Sequence, residues 1–172
     1  MTSIIKKKIC LLGSFGVGKT SLVRRFVYDV FDDLYLSTIG VKVSQKSLPA
    51  VKRKDGSTAQ VELIVWDIEG QDKFSDYMLS YYTGAAGAIL VADLTWKESW
   101  QVLPELVAHF KEVNPEAVTV LAANKVDLIL TDQEQKEALK QFAKKLDVKY
   151  FFTSAKTGAQ VETVFTYLAQ NM

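Results

Sequence analysis

The 172-residue chain has a single cysteine, a single histidine, three prolines and almost no net charge, with 21 basic residues against 20 acidic. Each scarcity excludes something. One cysteine, Cys10, cannot form an internal disulfide, and its place in an apolar run fits a reducing, cytoplasmic compartment. A near-neutral balance argues against a nucleic-acid footprint, and Lys6-Lys7-Lys8 reads as a solvated strand entry. No apolar run approaches the ~20 residues of a membrane span, and nothing has the pattern of a secretory signal. The last residues, Ala169-Gln170-Asn171-Met172, hold no cysteine for prenylation. The chain is therefore expected to be soluble, with membrane attachment only through a lipidated tail or adaptor outside these residues. Apolar content is 48%, ordinary for a folded domain, and the length suits one domain over residues 1–172.

Gly13-Ser14-Phe15-Gly16-Val17-Gly18-Lys19-Thr20 is what the chain does have. The apolar run Ile9-Cys10-Leu11-Leu12 precedes it and Ser21-Leu22-Val23-Arg24-Arg25-Phe26-Val27 follows, so it reads as strand, glycine-rich turn and helix. G-x-x-x-x-G-K-[ST] in that setting is the phosphate-binding P-loop. Glycines let the backbone curl with N–H groups inward, and the helix N-terminus adds partial positive charge. Gly13, Phe15, Gly16, Val17, Gly18, Lys19, Thr20 and Ser21 are the expected phosphate-binding residues. Lys19 would reach the outer phosphates and the Thr20 hydroxyl would bind Mg²⁺.

Apolar runs alternate with helical patterns, which predicts an α/β domain with a mostly parallel sheet. Strands are expected at about 6–12, 41–51, 59–67, 87–93, 118–123 and 148–152, with helices at about 18–28, 72–82, 104–113, after Thr131, and 159–170. Pro49 demotes the 41–51 run to an edge, and Asp55-Gly56 signals the hairpin that makes it antiparallel to 59–67. Thr95 with Glu98 and Thr131 with Glu134 read as capping boxes. The lone His109 reads as a surface or half-buried helical residue, and Trp96 with Trp100 as packing at a helix entry.

Two segments select the base. Asn124-Lys125-Val126-Asp127 follows a strand at the carboxyl edge, where open α/β sheets bind ligands. Asp127 can accept the ring N–H and exocyclic amine of guanine, which adenine does not offer, and mismatch leaves buried groups unpaired. The Lys125 stem would lie along the purine and Asn124 would tie this loop to the P-loop. The amides of Ser154-Ala155-Lys156 would donate to the guanine carbonyl.

In the loop after the first helix, Thr38 could join Thr20 on Mg²⁺ and offer its N–H to the γ-phosphate. Asp67 could hold Mg²⁺ through water, Gly70 could bring its N–H to the γ-phosphate, and Gln71 could orient the attacking water. Loss of that phosphate would release Thr38 and Gly70 together, an order-to-disorder switch. Gln71 and Lys19 are the expected catalytic residues. No arginine stands out as a built-in finger, so efficient turnover would need a partner.

Taken together these residues resemble a Ras-superfamily small GTPase, nearest the Rab branch, over about residues 6–170. Ser37-Thr38-Ile39-Gly40-Val41, Trp66-Asp67, Gly70-Gln71, Phe74, Ser80-Tyr81-Tyr82 and Gly84-Ala85 carry the resemblance. It implies a P-loop small G domain with a six-stranded sheet, one antiparallel edge strand, five helices on both faces, and a monomer cycling between GTP and GDP with Mg²⁺. It also implies effectors reading about 35–48 and 66–82, with exchange-factor and activating proteins. Phe31 is similar to the family's aromatic that lies edge-on to guanine, Tyr35 in the loop after the first helix is a further nucleotide-binding candidate, and Trp66 and Tyr82 are similar to aromatics that Rab effectors contact or, equally, are half-buried packing residues. Three departures stand out. Phe15 occupies a P-loop position where relatives carry a small residue, and Glu69 replaces the small residue of D-x-A-G-Q, where it is expected beside Mg²⁺ and the phosphates. Lys42 and Val43 replace the Rab aspartate and phenylalanine. Phe15 and Glu69 are expected to slow intrinsic hydrolysis. One alternative is a nucleotide-dependent interaction scaffold with negligible hydrolysis. Another, a P-loop ATPase or small-molecule kinase, is opposed by Asn124-Lys125-Val126-Asp127.

Overall fold

A computed structural model describes residues 4–34, 37–70 and 74–172. Among these residues seven strands form a sheet: β1 (Ile4–Leu12), β2 (Val41–Ser47), β3 (Val51–Lys52), β4 (Thr58–Ile68), β5 (Gly87–Asp93), β6 (Val118–Asn124) and β7 (Lys149–Phe152). Five α-helices accompany them among the described residues: α1 (Lys19–Tyr28), α2 (Met78–Tyr82), α3 (Leu103–Val113), α4 (Gln133–Lys145) and α5 (Val161–Asn171). The strand order is β2-β4-β1-β5-β6-β7, with the two-residue β3 paired to β4 off this path. β1, β4, β5, β6 and β7 run parallel, and β2 is antiparallel to β4. The expected mostly parallel sheet is thus present, with the short antiparallel β3 as a seventh strand beyond the six expected.

Strand alternation divides the core between the two faces. Ile9 and Leu11 of β1 face one cluster, packed under α1 and α5 by Leu22, Phe26, Val164 and Phe165. Cys10 and Leu12 face the other, under α2, α3 and α4, with Tyr82, Leu106, Phe110 and Leu139. β5 is buried along its whole length, as a central parallel strand covered on both sides must be.

Several boundaries differ from the pattern-based reading. The run 41–51 is cut at Leu48–Ala50, because Pro49 cannot donate to a ladder. Of the expected helix at 72–82, residues 72 and 73 lie outside the described residues, and only Met78–Tyr82 is helical among the rest. Phe74 stacks on His109 at 3.6 Å and Tyr77 bonds to Glu69, so tertiary partners outcompete helix formation there. Thr95 is not an N-cap: its N–H and hydroxyl both donate to Asp93 Oδ1, at 2.8 and 2.7 Å, closing an Asx turn before a short 3₁₀ turn at Lys97–Trp100. Asp132 rather than Thr131 caps α4, accepting from the Gln135 N–H at 2.9 Å. Trp100 is buried with its Nε1–H on the Asp93 carbonyl at 2.9 Å, whereas Trp96 stays exposed.

Phe26 and Phe165 stack face to face at 3.8 Å, both essentially buried, and join α1 to α5. Phe165→Ala should therefore lower the unfolding free energy by about 3–5 kcal/mol. Val43→Ala, on the half-exposed edge of β2, should change it by less than about 1 kcal/mol. Urea unfolding of the two variants, with ligand concentrations held fixed, measures both.

Candidate nucleotide site

The carboxyl ends of β1, β4, β6 and β7 converge on a cavity of about 940 Å³, a size that suits a small-molecule or cofactor site. Phe15, Gly16, Gly18, Lys19, Thr20 and Ser21 line one end, and Asn124, Lys125, Asp127, Ala155 and Lys156 the other; Phe31, Thr38 and Gly70 close the side. Gly13 and Val17 lie beneath the wall in the core rather than on it. Gln71 and Tyr35 are outside the described residues.

α1 begins directly after Gly18, whose φ of 104° is a left-handed conformation, and no side chain caps the helix. Its N-terminal end, Gly18 with Lys19, Thr20 and Ser21, lines the cavity, a ready anion site. Gly18 is also glycine for space, since a Cβ there would overlap the Asn124 amide. Lys19 is buried, with Nζ donating to the Gly13 and Ser14 carbonyls at 2.7 and 2.8 Å.

Beside the P-loop, three oxygens meet. The Thr20 and Thr38 hydroxyls lie 2.6 Å apart, and Thr20 Oγ1 donates to Asp67 Oδ2 at 2.6 Å. Asp67 is buried, and its Oδ1 has no hydrogen-bond partner among the described residues. Burial pushes the Asp67 carboxyl above the usual carboxylate range, against the opposing effects of the Thr20 hydroxyl and of Lys19 and Lys42. Two hydroxyls and an orphaned buried carboxylate oxygen fit a hard cation such as Mg²⁺, which keeps several waters and takes few protein ligands.

The base-side loops are joined by one amide. Asn124 Nδ2 donates to the Val17 carbonyl at 3.0 Å, while its Oδ1 accepts from Thr153 Oγ1 at 3.2 Å and Ala155 N–H at 3.3 Å. The Ala155 amide, expected to face a base carbonyl, is thus directed at Asn124. Lys125 stretches across the cavity, donating to the Gly16 carbonyl at 2.9 Å and pairing with Asp93 Oδ2 at 2.6 Å. Asp127 lines the cavity and accepts the Ser154 hydroxyl at 2.6 Å; Ser154 itself is buried behind the wall.

Two expectations are corrected. Tyr82 is fully buried, its ring edge-to-face with Phe110 at 5.6 Å, so no partner can read it. Trp66 is half-buried with the Lys8 ammonium 3.7 Å over its ring. Glu69 is not part of the cavity lining; its carboxylate turns to Gly40 and Tyr77, at 2.8 and 2.7 Å. Phe15, by contrast, stands at the cavity and is 47% exposed.

Motif reading also missed supports. Asp93 holds Lys125, and Arg25 holds the Ser154–Lys156 loop, donating from Nε to the Ala155 carbonyl at 2.9 Å and from a terminal nitrogen to the Lys156 carbonyl at 2.8 Å. Arg25 sits at i−4 to Asp29, which accepts from it at 2.9 Å. That spacing was the available signal, but it named a helix pair and not a loop brace. Arg24, Tyr28, Val30 and Leu34 also line the cavity and carried no motif.

A glycine-curled loop at the carboxyl edge of a mostly parallel sheet defines the class as a P-loop nucleotide-binding fold. The sequence model of the Ras family matches residues 8–172. The chain is 34% identical to the Ras-related protein Rab-13 of Canis lupus familiaris over 166 residues, 96% of this chain and 79% of that protein. It is 34% identical to Rab-31 of Homo sapiens over 173 residues, covering 100% and 86% of the two chains, and 37% identical to human Rab-30 over 163 residues, covering 94% and 77%. The chain belongs to the Ras family of small GTPases, in its Rab branch, and as such binds GTP and GDP with Mg²⁺ and hydrolyses GTP. Among the described residues no helix is long and apolar enough to cross a membrane.

Two outcomes follow from this geometry. Because burial raises the Asp67 pKa, its charged form destabilises the metal-free fold: the acid's contribution is fully present below its unfolded pKa and lost as pH rises through the folded one. Asp67→Asn should thus melt higher than the unaltered chain in EDTA at pH 7, with the gap closing toward pH 4, and should lose the added stability that Mg²⁺ with GDP confers; thermal melts across pH read both. Arg25→Ala should release fluorescent GDP about threefold to tenfold faster, the loss expected for one to two hydrogen bonds, with unchanged far-ultraviolet circular dichroism.

Proposed function

We propose that the chain is a monomeric, cytoplasmic guanine-nucleotide switch, one domain across residues 1–172, that hydrolyses GTP slowly when alone. The observation that carries this reading is the meeting of Thr20, Thr38 and Asp67 beside the P-loop, opposite the Asn124–Lys125–Asp127 wall. In this reading the P-loop amides of residues 13–20 and the Lys19 ammonium bind and neutralise the phosphates, and Ser21 follows them in the first turn of α1. Thr20, Thr38 and Asp67 hold Mg²⁺, which when bound offsets charge on the outer phosphates. Asp127 reads the two guanine donors, Lys125 covers one purine face, and Asn124 locks the reading loop to the P-loop. Ser154 orients Asp127, while Ala155 and Lys156 border the base carbonyl and Phe31 with Tyr35 borders the nucleotide's open side. Gly70 presents its N–H to the γ-phosphate, and Gln71 orients the attacking water.

Phe15 is the residue assigned to slow turnover. Its ring stands at the cavity beside the Gly70 approach, where an activating protein would insert a cation. A cation delivered in trans is the device this family uses to stabilise transferred charge, and no described arginine of this chain bonds across the outer-phosphate end. Effectors, exchange factors and activating proteins would read the segments at about 35–48 and 66–82. Attachment to a membrane would come through a tail or adaptor outside these residues. The scaffold alternative shares the binding site but not the hydrolysis.

Single-turnover phosphate release from GTP-loaded protein tests the reading. Phe15→Gly should hydrolyse at least about fivefold faster than the unaltered chain, within the span that positioning losses command. Equal rates would remove Phe15 from the account, and no release from either would favour the scaffold. Excess ATP should fail to compete labelled GDP from the protein.

A further inference from the structure

The antiparallel ladder of β2 and β4 ends on the pair Val41 and Ile68. One position further, half of an ordinary rung is present: the Glu69 N–H donates to the Gly40 carbonyl at 2.8 Å. The other half is made differently. The Gly40 N–H donates not to a main-chain carbonyl but to the Glu69 side chain, Oε2, at 2.8 Å. A carboxylate has taken the rung's place, and the backbone leaves the sheet immediately afterwards. Gly70 then lies flat on the P-loop, where a Cβ would overlap Phe15 Cα and stand 2.8 Å from the Ser14 carbonyl carbon.

The second carboxylate oxygen, Oε1, accepts the Tyr77 hydroxyl at 2.7 Å. Tyr77 is the N-cap of α2, and its ring meets Tyr81 edge-on at 6.0 Å. The Tyr81 hydroxyl in turn comes within 4.0 Å of where a Gly40 Cβ would stand. One side chain therefore spans the strand entry two residues past Thr38 and the segment leading into α2.

We propose that Glu69 is a positioning residue that clasps the two switch segments to each other through protein contacts alone. This rests on the switch reading above and deepens it. Where a γ-phosphate is all that Thr38 and Gly70 share, its departure frees both segments. Here two hydrogen bonds to an ionised acceptor, the stronger kind, join residues 40 and 77 whichever nucleotide is bound. The segments are released together or not at all, and the GDP form keeps part of their order. Ile39, 89% exposed, directly precedes the clasped Gly40, and Tyr77 of the clasp is itself nearly half exposed. A partner that reads these apolar residues would discriminate the two nucleotide states less sharply, since a ligand shifts an equilibrium only by its differential affinity for the states.

Hydrogen–deuterium exchange on the full chain, loaded with GDP or a non-hydrolysable GTP analogue, tests this in peptides covering 37–41 and 75–82. In GDP-loaded E69A both peptides should exchange about tenfold faster or more, as expected for losing hydrogen bonds to a charged acceptor. E69Q, whose amide oxygen still accepts from Gly40, should restore the 37–41 peptide. Y77F should release 75–82 and leave 37–41 near its unaltered rate. Fluorescent GDP should bind all variants with similar Kd, which separates the clasp from damage to the nucleotide site. Unchanged exchange in GDP-loaded E69A and Y77F, or E69Q behaving as E69A in the 37–41 peptide, overturns the clasp. If neither peptide distinguishes GDP from the analogue in any variant, E69A included, the switch reading fails as well.

Discussion

Everything at the cavity hangs from the amide of Asn124. Its nitrogen end fixes the Val17 carbonyl, and its oxygen end gathers the Thr153 hydroxyl and the Ala155 N–H. Three loops from distant parts of the chain, at residues 13–20, 124–128 and 153–157, thereby become one surface. An amide suits the position because it is donor and acceptor at once; a carboxylate would repel the Val17 carbonyl and a lysine would repel the Ala155 N–H. The bond is buried, so leaving either end unmade would cost more than the bond itself contributes. Gly18 is the complement of this arrangement: the side chain it lacks is the space the Asn124 amide occupies.

The sheet explains why those loops meet. β1, β5 and β6 are adjacent and parallel, and β7 continues the series, so the loops after β1, β6 and β7 emerge at one edge. β5 contributes from the same edge through Asp93, whose carboxylate holds Lys125 on one oxygen and closes the Asx turn on the other. Lys125 is left-handed at φ 67°, an unfavourable conformation for a lysine. It is tolerated because its ammonium is fixed at both Asp93 and Gly16, and that conformation swings Asp127 to the cavity wall.

Most of the parallel sheet and the two nucleotide motifs were legible in residue order alone. Continuous apolar runs such as 87–93 leave little choice of structure, and G-x-x-x-x-G-K-T encodes its geometry in backbone terms. What was not legible is which partner a side chain takes, in several cases one far away in sequence. Tyr82 is open in the sequence between an effector-contacting aromatic and a packing residue, and its partner Phe110, 28 positions on, decides for packing. Thr95 satisfies a capping pattern, but Asp93 two residues earlier offers a carboxylate at shorter range. Arg25 looks like one more basic residue of α1, until the fold carries residues 155 and 156 to its guanidinium. Glu69 was placed by motif alignment beside the phosphates, whereas the local ladder geometry points its carboxylate to Gly40.

Two of the three departures from the Rab pattern, Phe15 and Glu69, act on different links. Phe15 adds volume at the open cavity, where it meets solvent and any incoming partner. Glu69 adds an acceptor behind the wall, where β2 and β4 part. A small residue at position 69 would leave the Gly40 N–H to water, and the strand ends would then be held near each other chiefly by what the nucleotide supplies. With the carboxylate, part of that order is written into the covalent sequence. Gly70 still depends on close backbone approach to Phe15, so in the proposed reading its phosphate-facing contact and the Glu69 contact are mechanically adjacent but chemically independent. A switch built this way can lose the first without surrendering the second, and the degree to which its outer face reports the nucleotide then follows from one hydrogen-bonded side chain.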